Sequence, residues 1–181
     1  NSNKMSAEEK ARARWAEVEQ FLIEENISDP STLETSGSPQ NRAAEWIANE
    51  DGLKTIIPKT KADRDAHIFL ERYALAVFYY SLGGEEWRFQ LNFMSDDPTC
   101  EWWQQLRTTS GQSSAFGAQC GTDSGGHVSR FLAPWLNLRG TIPEEIGLLT
   151  SMTFFATHSN NITGLIPDGF KHMEKLEILD L

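Results

Sequence analysis

Three runs of apolar residues with helical spacing fill the first half of the chain, each bounded by its own start and stop signals. Ser6 and Glu9 make a capping-box pair, and Ala11, Trp15, Val18 and Leu22 then draw one stripe, which predicts a helix running to about Glu25. Its other face is charged. Ser38-Pro39 opens a second helix with Ala43, Trp46 and Ile47 on the buried side, and Asp51-Gly52 ends it. A third is predicted from about Ala62 to Leu82, with Phe69, Leu70, Tyr73, Val77 and Tyr80 spaced for burial and Gly83-Gly84 as its stop.

The last third changes period. Met152, Phe155 and Thr157 fall at the spacing of a strand, Asn160 marks the turn out of it, and Ile162, Gly164, Ile166-Pro167 and Phe170 make a return path. Ile142-Pro143 recurs 24 residues later as Ile166-Pro167, Gly140 recurs as Gly164, and Phe131 and Phe155 lead to Leu179. A fixed period of this length predicts a solenoid whose units stack to bury a shared face. With Phe131, Ala133, Phe155 and Thr157 pointing inward, the alternate residues Arg130, Leu132, Phe154, Ala156, His158, Ile178 and Asp180 are the candidate partner-binding face. Phe154 is either a contact anchor beside Leu132 or a ring packed sideways on its strand neighbours.

The segments LRGTIPEEIG (138–147) and NNITGLIP (160–167) resemble the plant-type leucine-rich repeat. That resemblance implies an α/β right-handed solenoid with a parallel sheet on its concave face, and a side-chain amide at Asn160 that bonds the backbone of adjacent turns. Two positions depart from the pattern: Leu136 stands where the ladder Asn of the first unit belongs, and Thr157 replaces an inward Leu. Upstream, YALAVFYYSLGGEEW (73–87), NFMSD (92–96), CEW (100–102) and FGAQC (116–120) resemble the N-terminal cap of such proteins, stretched by a polar insertion from Gln104 to Ser114 that reads as a surface loop. If the family pattern holds, Cys100 and Cys120 flank one cap loop, and a disulfide there stabilises by roughly 3 kcal/mol on the loop-entropy model. The alternative is a pair of reduced thiols; two Cys without His at ligand spacing do not complete a zinc set. Further upstream, FLIEENISDP (21–30) and SGSPQNRAAEW (36–46) are similar to the segment preceding this cap in the large leucine-rich-repeat families of diatoms. There it commonly follows a single membrane-spanning helix and opens the outward-facing part.

The resulting division is a helical juxtamembrane or stalk segment at 1–60, a cap at 61–126, and repeats at 127–181, two complete and the third truncated. The first two helices either join the third as a pad over the first strand edge or form a stalk with 29–37 and 53–60 as linkers. The chain opens at Asn1 without an initiator Met and ends at Leu181 in mid-repeat, so it reads as a fragment; no stretch is apolar enough for a signal peptide or a spanning helix. Were Met5 a true start, the cytosol would be favoured.

With 39% hydrophobic residues, six Trp and ten Phe, an ordered core is expected. The net charge of −10 opposes binding to nucleic acid and to anionic lipid, and otherwise reflects either solubility or a basic or divalent-cation partner. Asn26-Ile-Ser28 and Asn161-Ile-Thr163 fit the glycosylation acceptor pattern, although the second also follows the repeat's own consensus. Candidate chemistry is thin. His67, His127, His158 and His172 are scattered, no nucleophile motif such as G-x-S-x-G occurs, and the pairs Glu85-Glu86, Asp96-Asp97 and Glu144-Glu145 read as solvated turn charges. Ser124-Gly125-Gly126 reads as the turn into the first repeat strand.

The expected function is non-catalytic recognition of a protein or glycan, with no cofactor or metal, at the cell surface or outside the cell. A structural or adhesion protein of wall or matrix and an intracellular repeat scaffold are the alternatives. A receptor-like kinase would need a catalytic domain that this sequence does not carry.

Overall fold

The computed structural model describes residues 5–107, 111–122 and 124–181. Helix α1 (Ala7–Glu24) begins at the capping box: the Ser6 hydroxyl accepts from Glu9 N at 3.2 Å and the Glu9 carboxylate accepts from Ser6 N at 2.7 Å. It buries Val18, Phe21 and Leu22. Residues 29–37 are not only a linker, because Asp29 caps a short helix, α2 (Pro30–Glu34), by accepting from Ser31 N at 2.8 Å. Ser38 caps α3 (Pro39–Glu45), which widens into a π-helical turn, Trp46–Glu50, before Asp51 ends it. The long helix α4 (Ala66–Ser81) starts later than its apolar spacing predicts. The Asp63 carboxylate holds Lys59 N at 2.8 Å and the Thr60 hydroxyl at 2.9 Å, which fixes a turn where the helix would otherwise begin.

The expected solenoid under a helical cap is corrected. The described residues form a small α/β domain with four α-helices around one mixed five-stranded sheet. Its strands are β1 (Trp103–Arg107), β2 (Ser113–Cys120), β3 (Val128–Leu132), β5 (Phe154–Ala156) and β7 (Ile178–Asp180), hydrogen-bonded in the order β1-β2-β3-β5-β7. The β1/β2 and β2/β3 pairings are antiparallel; β3/β5 and β5/β7 are parallel. A separate parallel pair joins β4 (Arg139–Gly140) to β6 (Asn161–Ile162). In a solenoid each unit contacts only its neighbours. Here α4 lies across two successive turns: the Phe78 ring meets Phe131 at 5.0 Å and Phe155 at 6.0 Å. The 24-residue period repeats the strands, and long-range packing joins them into a domain.

The expected surface loop from Gln104 to Ser114 is also corrected. It is the β1–β2 hairpin, paired from Trp103↔Gly117 to Arg107↔Ser113, and its tip at 108–110 lies outside the described residues. A hairpin with one face in water accepts Gln and Ser there, so polarity did not separate it from a loop. Gly117, at φ +115°, lets β2 pass over the turn before β1; a Cβ there would sit 2.2 Å from the Trp102 carbonyl oxygen.

One apolar cluster runs from Val18, Leu22, Leu33 and Ile47 through α4 to Phe131, Phe155 and Met173. Inside it Arg72 is fully buried. Its guanidinium donates to both Asp51 carboxylate oxygens, at 2.9 and 2.6 Å, and to the carbonyls of Ser95 and Asp97 at 2.7 and 2.8 Å. Trp46 and Trp102 flank it at 5.0 and 4.7 Å. One cation with all three of its nitrogens donating thus ties the end of α3 and the 95–102 segment to α4.

The Cys100–Cys120 disulfide links the turn after Pro98 to the end of β2, with the Cα atoms 5.2 Å apart. Such a bond fits an oxidising compartment. No helix among the described residues is long and apolar enough to cross a membrane.

Candidate functional site

Parallel in-register pairing brings side chains spaced 24 residues apart into rows. Arg130, Phe154 and Ile178 form one row, and Leu132, Ala156 and Asp180 form the next on the same face. In the first row Arg130 is exposed, Phe154 half-buried and Ile178 48% exposed. The Arg130 guanidinium lies over the Phe154 ring at 4.5 Å. Phe154 is therefore packed sideways on its strand neighbour and still partly open to solvent. The second row is less open: Leu132 is half-buried and Asp180 exposed, while Ala156 is 1% exposed and presents no side chain to solvent. Its methyl group, in register between two longer side chains, is too short to emerge, and its place in the candidate surface is corrected.

His158 follows β5 and is half-buried, with Nε2 4.0 Å from the Asp180 carboxylate and its ring edge-on to Trp135 at 5.0 Å. Trp135 is 48% exposed and has φ 54°, in the left-handed region. Alternation along β3 could not reveal it, because the strand pattern ends before Pro134. The available signal was the Pro-Trp pair at a chain reversal.

Asn160 anchors the turn that presents these residues. Its amide oxygen accepts from Leu136 N at 3.0 Å and Leu138 N at 3.1 Å, and its nitrogen donates to the carbonyls of Ala133 and Thr157 at 2.7 Å each. Asn26 and Asn161 are exposed; the hydroxyl of Ser28 is buried against Tyr73 and Glu145, whereas Thr163 is exposed.

A cleft of about 620 Å³ lies beside the start of α4 and includes His67, His127 and His172 among its walls. Two of the four histidines that look scattered in sequence meet here: the His67 and His127 rings are 3.9 Å apart. His127 Nδ1 lies 2.9 Å from the Glu71 carboxylate, whose other oxygen accepts from Val128 N at 2.9 Å. Burial raises the Glu71 pKa to about 7, with the Val128 hydrogen bond and the His67 charge opposing it, and burial lowers that of His127. Among the described residues no three His, Cys, Asp or Glu side chains are grouped to hold a metal ion. Of the acidic pairs, Glu144 receives Asp168 N and Gly169 N, whereas Glu145 turns inward to Ser28 and Gln40.

Comparison of the chain with protein-family models, curated proteins and solved structures finds no match. The functional reading therefore rests on the surfaces described above.

Proposed function

We propose that this chain is a non-catalytic recognition module that binds a protein or glycan through the open row Arg130, Phe154 and Ile178, flanked by Trp135, His158 and Asp180. The observation that carries the reading is the cation stacked on a half-open aromatic ring, in a row whose next member, Ile178, is 48% exposed. Aromatic residues and Arg are the side chains that most often anchor interfaces, because they contribute contact area and directed hydrogen bonds at low entropic cost. The kinship with leucine-rich-repeat proteins implied by segments 138–147 and 160–167 belongs to the same proposal. So does placement at the cell surface as the outward-facing part of a single-pass membrane protein, which the disulfide and the two exposed acceptor asparagines favour.

The test is a binding screen of the immobilised protein against panels of extracellular proteins and oligosaccharides, repeated with the double variant Arg130→Ala, Phe154→Ala. The expected result is a ligand whose affinity falls at least about tenfold in the variant, the size of a modest interface anchor, with the unfolding midpoint unchanged. A ligand bound equally well by the variant would move recognition off this face. Mass mapping of protein from its native source, with and without reduction, tests the compartment: free thiols with bare Asn26 and Asn161 would overturn it.

A further inference from the structure

On the opposite side of the sheet, the β1–β2 hairpin overhangs the core. Phe116 and Ala118 share a strand face, and Ala118 pairs with the buried Phe131, so this face continues the core side of the sheet. Beyond the core it borders a groove of about 270 Å³, closed by Arg88 and Phe89 from the loop after α4 and by Pro134, Trp135 and Leu136 after β3. The two loops are tied together, with Arg88 N donating to the Leu136 carbonyl at 2.9 Å.

Three properties of the groove point to a ligand. Arg88 and Arg107 are exposed at its rim, and neither forms an ion pair among the described residues, although the chain as a whole carries a net charge of −10. Two aromatic rings stand open beside them, Phe89 at 43% and Trp135 at 48% exposure. Trp135 also holds a left-handed backbone, which a bulky residue adopts only under strain, and the Leu136 and Leu138 amides donating to the Asn160 side-chain oxygen keep it there. An aromatic ring held in the open under strain, beside guanidinium groups with no ion pair among the described residues, makes a surface for a ligand that has both a flat apolar face and an anion.

We propose that this groove binds a uronate unit of an acidic saccharide, its carboxylate on the Arg88 and Arg107 guanidinium groups and its C–H face against Trp135 and Phe89. The planar guanidinium matches a carboxylate in two parallel bonds. The volume lies below the roughly 300–1,000 Å³ of pockets that enclose a whole drug-sized ligand, so one ring of a longer chain is received. An acidic peptide supplies carboxylates but no flat C–H ring face for Trp135 and Phe89, so it matches the groove less well than a uronate does. This site meets the row at Arg130 only at Trp135, and it goes beyond the reading proposed for that face.

The experiment is calorimetric titration of the full chain with a short oligogalacturonate, its neutral methyl ester, and a polyglutamate of matched charge. The oligogalacturonate is expected to bind at least about tenfold more tightly than either control, and Arg88→Ala, Arg107→Ala and Trp135→Ala each to weaken it about tenfold at an unchanged urea midpoint. Arg130→Ala is expected to have no effect. Equal binding of the ester, equal binding of polyglutamate, or no binding at all would overturn the proposal. Loss confined to Arg130→Ala would overturn it too, while leaving the sheet-face reading standing.

Discussion

Asn160 fills the hydrogen-bonding capacity of an amide, two acceptor and two donor positions, with four main-chain groups that have no ladder partner of their own at the turn. Replacing it with Ala leaves those groups short of partners in a half-buried site. Asn160→Ala is therefore predicted to cost about 3 kcal/mol, read as a lower urea midpoint with an unchanged denaturant slope. Thr157 presents the reverse case. Its hydroxyl is buried with no partner among the described residues, so it bears a desolvation cost with no return. Thr157→Val keeps the shape and is predicted to raise stability by about 1 kcal/mol in the same measurement. A loss instead would mean that the hydroxyl has a bonding partner in solution. The sequence marked both residues, one by its place at the end of a strand and the other as a polar side chain on an inward position; only the structure shows that one is satisfied and the other is not.

Among the elements, those closed by local chemistry were legible and those closed by distant chemistry were not. The starts of α1 and α3 are written in Ser6, Glu9, Ser38 and Pro39, residues that act on their own neighbours. The start of α4 depends on the Asp63 carboxylate turning back to residues 59 and 60, and apolar spacing carries no trace of that. The hairpin fails for a different reason, since Gln and Ser on a water-facing strand resemble a loop in composition. Period 24 announces the parallel strands, yet it cannot say that Phe78 of α4 will lie across two of them, which is what makes a domain of the repeats. For the candidate surface, alternation placed Arg130, Phe154 and Ile178 on one face, but could not tell that Ala156 is covered or that Trp135 stands open. The disulfide spans the irregular passage from the Pro98 turn through the hairpin, so its bond restricts an element with a small core of its own. Reduction and alkylation are predicted to lower the unfolding free energy by about 3 kcal/mol, measured by urea titration with and without reductant. No change would mean that the hairpin's pairing alone restricts that loop in the unfolded chain.

The stability of the whole molecule is tied to pH through Glu71, the carboxylate that joins α4 to the start of β3. It is 2% exposed and its pKa is pushed up to about 7, against 4.5 for an ordinary glutamate. The folded chain therefore binds this proton more tightly than the unfolded chain. Its contribution to stability is full below about 4.5 and is lost as the pH rises through about 7. A shift of that size is worth on the order of 3 kcal/mol. His127, in contact with it, acts in the opposite sense: burial first and then the Lys175 charge lower its pKa, so its contribution is gained as the pH rises through the ordinary 6.5. The two effects separate by substitution. Glu71→Gln keeps the shape and an acceptor for Val128 N but cannot ionise. Urea midpoints of both proteins from about pH 4 to about pH 8 are predicted to show the native chain losing stability relative to the Gln variant as the pH rises, most steeply between about 4.5 and about 7 and levelling off above that. A difference that stays flat across the range would mean that Glu71 titrates alike in the folded and unfolded chains, its burial offset by the bond from Val128 N and the charge of His67.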